Sequence, residues 1–195
     1  VKHSPKESYS DIFRQAEDAM SRRKLTEGVE MRRRAVHQIL QTLYQRSPRE
    51  MQHSQTVGDL CRKIALTLGM SPEMAEQAYQ AGVMHDIGKI GIDQALLEKT
   101  TRLNSGELRE MRRHSEMGYR LLNSVHGLAH IAPFVLEHHE RWDGTGYPKG
   151  IAGDKITLIA RIIAVADGYD AMVSPRTYKS PMSPKEAIRE VCRCA

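Results

Sequence analysis

Aromatic side chains make up only 5% of this 195-residue sequence, with a single tryptophan. That shortage removes the aromatic platforms on which single-stranded nucleic acid stacks. Long apolar runs are missing too. None approaches the roughly 18 consecutive residues of a membrane span, and mean hydropathy is -0.52, so no membrane span is expected. Cysteine is scarce: Cys61, Cys192 and Cys194 lack zinc-ribbon or thioredoxin spacing and read as reduced structural thiols. Residues 1–10 carry no signal-peptide pattern, and a cytoplasmic location is expected. What is abundant is Leu, Ile, Val, Met and Ala, a balance that favours helices packed on helices. Net charge is +5, a mild preference for anionic ligands that names none. Arg22-Arg23-Lys24 and Arg32-Arg33-Arg34 sit in charged helical stretches. They read as solvated faces, and no DNA partner is expected.

Helix starts are written plainly. Ser47-Pro48, Ser71-Pro72 and Ser183-Pro184 each place a capping hydroxyl before a proline suited to the first helical position. Glu50 and Glu186, three residues after their serines, are expected to complete capping boxes, and Asn104 with Glu107 opens a helix similarly. Gly69 and Gly88 are placed to end helices. The pattern predicts helices near 9–23, 26–46, 48–69, 72–88, 105–124, 131–141, 155–173 and 184–194, with an irregular glycine-rich loop from Trp142 to Asp154. The β-branched run from Ile156 to Ala166 also suits a buried strand, but its length to Met172 favours a helix.

The histidines and aspartates are informative because of where they fall in these helices. His53 extends the stripe Val57, Leu60, Cys61, Ile64 and Leu68, and the small residues Ala78, Ala81 and Gly82 lead to His85. His114 shares a face with Met111, Gly118 and Leu121; Val135 precedes His138 and His139; Ile163 and Asp170 flank Asp167. One inward histidine is ordinarily a hydrogen-bonded core residue. An inward aspartate costs several kcal/mol unless a cation neutralises it. Five helices aiming five His and two Asp, with Asp86 beside His85, at one core exceed the needs of a single tetrahedral ion. At least two metals are implied, and imidazole with carboxylate and no thiolate suits iron, manganese or zinc. Such a pair of metals is equipment for cleaving phosphate esters. Glu140 and Asp143 read as supports of the histidine pair rather than ligands.

These residues carry a family resemblance. His53-Ser54, His85-Asp86-Ile87-Gly88-Lys89, His114, the segment from His138-His139 to Gly146-Tyr147-Pro148, Asp167-Gly168-Tyr169-Asp170-Ala171-Met172 and Arg176-Thr177-Tyr178-Lys179 occur in this order. Together they make residues 47–195 resemble an HD-GYP domain, the branch of the HD phosphohydrolases that cleaves cyclic di-GMP. The resemblance implies an all-α, HD-domain-like helical bundle with a metal site in its core, preceded by an N-terminal linker helix. It implies that His53, His85, Asp86, His114, His138, His139 and Asp167 bind divalent ions, iron or manganese, with Asp86 bridging. It also implies that Lys89 contacts the scissile phosphate, that Arg176 and Lys179 hold phosphate or guanine, and that Asp170 lies near the ligand. Gly146, Tyr147 and Pro148 would shape the site's edge and meet GGDEF-domain partners. Relatives with three metals carry Glu four residues before the first His. Arg49 stands there and Glu50 is accounted for as a cap, so two metals are expected, with a third the alternative.

Residues 8–20 resemble the last helix of a GGDEF domain. The expected organisation is therefore the end of a GGDEF domain over 1–24, a connecting helix over 25–46 that pairs with its twin in a homodimer, and an HD-GYP domain over 47–195 that continues beyond this chain. The expected reaction is hydrolysis of cyclic di-GMP to pGpG, with GMP the alternative end product. The rival readings are a non-catalytic cyclic di-GMP receptor and a phosphohydrolase of another nucleotide.

Overall fold

Capping chemistry and small-residue contacts place the helices that carry the histidines. The structure, a computed structural model, describes residues 28, 30–32, 34–175 and 180–194, and all regular structure among them is helical. The expected helix 9–23, the GGDEF-like stretch, Arg176 and Lys179 lie outside the described residues.

Helix α1 (residues 34–46) buries Val36, Leu40 and Leu43 along one face. Only Ser47 separates it from α2 (Pro48–Thr67), and α3 follows over Pro72–Met84. The Ser47 and Ser71 hydroxyls accept from the amides of Glu50 and Met74 at 3.4 and 3.3 Å, as their sequence positions foretell. Asn104 with Glu107 forms a full capping box, and so does Ser183 with Glu186. The Ser47 box is only half made, because the Glu50 carboxylate turns away to Lys89 at 3.0 Å.

Helices α2 and α3 approach closely through Gly58, Ala78, Ala81 and Gly82. A Cβ on Gly82 would lie 2.9 Å from the Gly58 Cα and 3.0 Å from the Cys61 sulfur. That approach brings His53 beside His85. The expected helix 72–88 stops at Met84, and Ile87–Gly91 continues as a 3-10 turn. The break has a consequence for the site. In one continuous α-helix adjacent residues diverge by about 100°, whereas here His85 and Asp86 are both buried. Gly88 therefore does not end a helix; it lies inside the 3-10 turn, against the backbone of His114 and Gly118.

A short α4 (Gln94–Leu97), absent from the sequence expectations, starts where the Asp93 carboxylate accepts from the Ala95 amide at 2.8 Å. The expected helix 105–124 is two helices, α5 (Ser105–Arg112) and α6 (His114–Asn123). Arg113 joins them, its amide bonding Glu110 O at 3.1 Å in a tighter three-residue pattern. Helix α7 (Ala132–Glu137) is shorter than expected, α8 (Leu158–Val173) confirms the helical reading of that β-branched stretch, and α9 spans Pro184–Cys194. Ile159, Ile162, Ile163 and Ala166 of α8 join Val57, Cys61, Ala78, Leu122, Ile131 and Val135 in one core. No described helix is long and apolar enough to cross a membrane.

Candidate metal centre

The core of this bundle holds two adjoining trios of donor groups, His53, His85 and Asp86, and His114, His138 and His139. Within each trio the candidate ligand atoms lie within 4.8 Å of one another. Asp86 stands between them. Its Oδ2 is 3.1 Å from His85 Nε2 and 4.0 Å from His53 Nε2, while its Oδ1 faces His114 Nε2 at 3.4 Å. Asp167, half-buried, joins the first trio with its Oδ1 3.3 Å from His53 Nε2. All seven residues expected to bind metal are thus brought together.

The helices themselves orient the imidazoles. His85, His114 and His138 each donate Nδ1–H to the carbonyl three residues back, Gly82 at 2.7 Å, Met111 at 2.7 Å and Val135 at 2.6 Å. A carbonyl only accepts, so the proton sits on Nδ1, and a neutral ring presents the Nε2 lone pair to the interior. His53 is oriented by a carboxylate instead, Nδ1 to Asp170 Oδ2 at 2.6 Å. Asp170, expected near the ligand, is buried behind His53, where its other oxygen accepts from Ser174 Oγ at 2.9 Å.

This arrangement fits divalent cations. His114 Nε2 and His138 Nε2 face each other at 3.4 Å, two acceptors that need a cation between them. His85 Nε2 is buried and, although 3.1 Å from Asp86 Oδ2, makes no hydrogen bond. Charge balance tells the same story. Burial keeps His114 below the usual histidine range; burial and the neighbouring His139 hold His138 well below it; burial and His114 bring His139 to about 4. These three are neutral and ligand-ready. Burial also opposes a charge on His53, but hydrogen bonds to Asp167 and Asp170 outweigh it and push the ring up to about 10. Asp86, though burial disfavours its charge, is held well below the carboxylate range by His85 and Lys89. The first trio demands positive charge, and the second offers free lone pairs.

The loop after α7 closes one end of the cluster. Tyr147 stacks on His139 with ring centroids 4.7 Å apart, and its amide donates to His139 O at 3.2 Å. Gly146 leaves no room for a side chain, since a Cβ would lie 2.5 Å from Glu140 Cα and 2.6 Å from His139 O. The Tyr147–Pro148 peptide is cis. Buried Glu140 accepts from the amides of Lys149 at 2.6 Å and Ile151 at 3.1 Å, tying down the loop. Asp143 is exposed and caps a turn by accepting from the Thr145 amide at 2.9 Å.

Three participants were missed in the sequence. Buried Glu137 accepts from the Thr157 amide at 3.1 Å and from Lys149 Nζ at 3.0 Å. The Arg112 guanidinium lies 4.9 Å from the centre of the Tyr147 ring. Glu50, read only as a cap, pairs with Lys89 at 3.0 Å, and Lys89 is also 2.7 Å from Asp86 Oδ2. Glu50 stands in a recognisable capping position, which hides its other partner; nothing local marks Arg112 or Glu137.

Saturating the chain with Mn²⁺ is expected to stabilise it. An ion bound only by the folded state contributes about 2.7 kcal/mol at roughly 100 times its Kd, a rise of about 5–10 °C in thermal midpoint. Chelation should reverse the shift in a thermal melt, and an unchanged midpoint would refute metal binding at the cluster.

Comparison with known proteins agrees with the geometry. The HD domain family profile matches residues 37–194. The chain is 43% identical over 141 residues to a cyclic di-GMP phosphodiesterase of Thermotoga maritima, covering 71% of this chain and 38% of that protein. It is 40% identical over 137 residues to 3′3′-cGAMP-specific phosphodiesterase 1 of Vibrio cholerae, covering 70% of this chain and 32% of that one. The chain thus spans about a third of these relatives' lengths. In fold it is similar to the HD domain of the Listeria monocytogenes phosphodiesterase PgpH in complex with cyclic di-AMP. The TM-score is 0.61 at 21% identity, covering 80% of this chain and 82% of that one.

Proposed function

Because the chain belongs to the HD domain family and carries the motifs of its HD-GYP branch, we propose that it hydrolyses cyclic di-GMP to pGpG in the bacterial cytoplasm. The observation that carries this reading is the convergence of five imidazoles and two carboxylates on one point, with Lys89 beside them. His53, His85 and Asp167 would hold one divalent ion and His114, His138 and His139 another. Asp86, with one oxygen towards each trio, would serve as a ligand to either ion. Bound there, iron or manganese ions supply Lewis-acid polarisation of a phosphoryl oxygen and a nucleophile at neutral pH.

The chain's own groups do the rest. Lys89, flanked by Asp86 and Glu50, stays a cation despite its burial, since the two carboxylates raise its pKa. Its task is to offset charge growing on the phosphoryl oxygens. Tyr147, stacked on His139, excludes water from the second trio and fixes that ring's plane. Arg176 and Lys179 are assigned to phosphate and guanine, and Gly146-Tyr147-Pro148 to the rim where a GGDEF partner would meet it. Residues 1–24 are assigned to the end of a GGDEF domain, with residues 25–46 as the route between the two domains and a homodimer contact.

The chain loaded with Mn²⁺ or Fe²⁺ under anaerobic conditions should convert cyclic di-GMP to pGpG, followed by chromatography. Binding without turnover across both metals would favour a receptor. Faster turnover of 3′3′-cGAMP would move the substrate to the nucleotide named for the Vibrio cholerae relative. Lys89→Ala should lower kcat about a hundredfold while metal content stays at the wild-type level. An unchanged kcat removes Lys89 from the reaction.

A further inference from the structure

A cavity of about 710 Å³ opens beside the metal cluster, between the α1–α2 junction and the segment joining α4 to α5. Lys89 is among its lining residues, and Lys89 Nζ is 2.7 Å from Asp86 Oδ2, so one side chain touches both cavity and cluster. Leu43, Leu103 and Met111 give the cavity an apolar wall, and Arg46 and Arg102 add two cations.

These two arginines differ from the charges around them. Lys99, on the same wall, is taken by Glu107 at 2.7 Å, and Lys89 by Asp86 and Glu50. Arg46 and Arg102 have no carboxylate partner among the described residues. An apolar wall suits the face of a purine, and an unpaired guanidinium suits a phosphate, which it can bind through two parallel N–H groups. Through Lys89 the cavity adjoins a centre suited to breaking phosphodiesters, so a ligand that fills it and also places a phosphate at that centre needs a second nucleotide.

We infer that this cavity is the subsite for the uncleaved half of a cyclic dinucleotide, with Arg46 and Arg102 binding its distal phosphate. The inference rests on the phosphodiesterase reading above. It makes the α1–α2 junction and the 98–104 segment determinants of substrate choice, apart from the metal ligands.

The test compares two substrates of the Mn²⁺-loaded chain: cyclic di-GMP, and bis(4-nitrophenyl) phosphate, which has one phosphodiester and no second nucleotide. Replacing both residues (Arg46→Ala with Arg102→Ala) should raise KM for cyclic di-GMP about tenfold or more. Over the same change kcat should hold within about twofold, and metal content and kinetics on bis(4-nitrophenyl) phosphate should not move. Arg→Lys at both positions should recover part of the KM. Unchanged KM for cyclic di-GMP overturns the subsite, and so does a parallel loss on both substrates, which would mean a disturbed metal centre. A wild-type chain that cleaves bis(4-nitrophenyl) phosphate but not cyclic di-GMP overturns the substrate reading itself, before any variant is made.

Discussion

Asp86→Ala is expected to lower cyclic di-GMP hydrolysis by roughly a thousandfold or more, with loss of bound metal measured by elemental analysis. Asp86 meets side chains of both trios as well as Lys89. Its two oxygens face His85 at 3.1 Å and His114 at 3.4 Å, and Lys89 lies 2.7 Å away. Removing the carboxylate leaves Lys89 and the first trio without their shared counter-charge and removes the acid that faces both trios. Asp86→Asn separates the two effects, since it keeps the volume and one acceptor but loses the charge. It should lose metal nearly as completely as alanine does. Turnover within a few-fold of wild type in either variant would dismiss the centre as the site of hydrolysis.

The second large effect is on stability. Gly88→Ala is expected to destabilise the fold by about 3 kcal/mol, a fall of roughly 10 °C in thermal midpoint. The added Cβ would overlap the His114 carbonyl oxygen and lie 2.6 Å from the Gly118 amide nitrogen. Both are backbone atoms of α6, which cannot rotate aside as a flexible side chain does. The helix must move, and it carries His114, so metal affinity should fall with stability. Gly127→Ala is the control: a Cβ there meets nothing within 4 Å, and its stability should stay within about 0.5 kcal/mol of wild type. Equal melting of the two variants would contradict the close approach of the 3-10 turn to α6.

The sequence makes the helices and the donor groups legible for the same reason: both are local patterns. Ser-Pro starts announce α2, α3 and α9, and apolar spacing points His53, His85, His114 and His138 inward. What sequence patterns hide are competitions settled across the fold. Residues 72–88 read as one helix, and only the packing of Gly88 on α6 shows why the chain tightens after Met84. Arg113 interrupts a good helical pattern without glycine or proline to mark the break. Glu50 satisfies the rule for a capping box, yet its carboxylate goes to Lys89, 39 residues away, because the Ser47 amide already donates to Leu43 O at 3.0 Å and the ammonium makes the stronger, charge-assisted bond. Asp170 looks like one more acid of the motif, and only its bond to His53 Nδ1 assigns it the task of aiming that ring.

The donors of the cluster come from α2, the α3 terminus, α6, α7 and α8, spread along almost the whole described domain. An ion held by all of them would close several loops of the chain at a single knot. Since the entropy of closing a flexible loop grows only slowly with its length, about 0.6 kcal/mol per doubling, a connection that nothing ties to the cluster can vary in length at small thermodynamic cost. Loss of one ligand, by contrast, merges two loops and unties the elements on both sides. Chain length between the helices is therefore free to drift, while the fastening point is not.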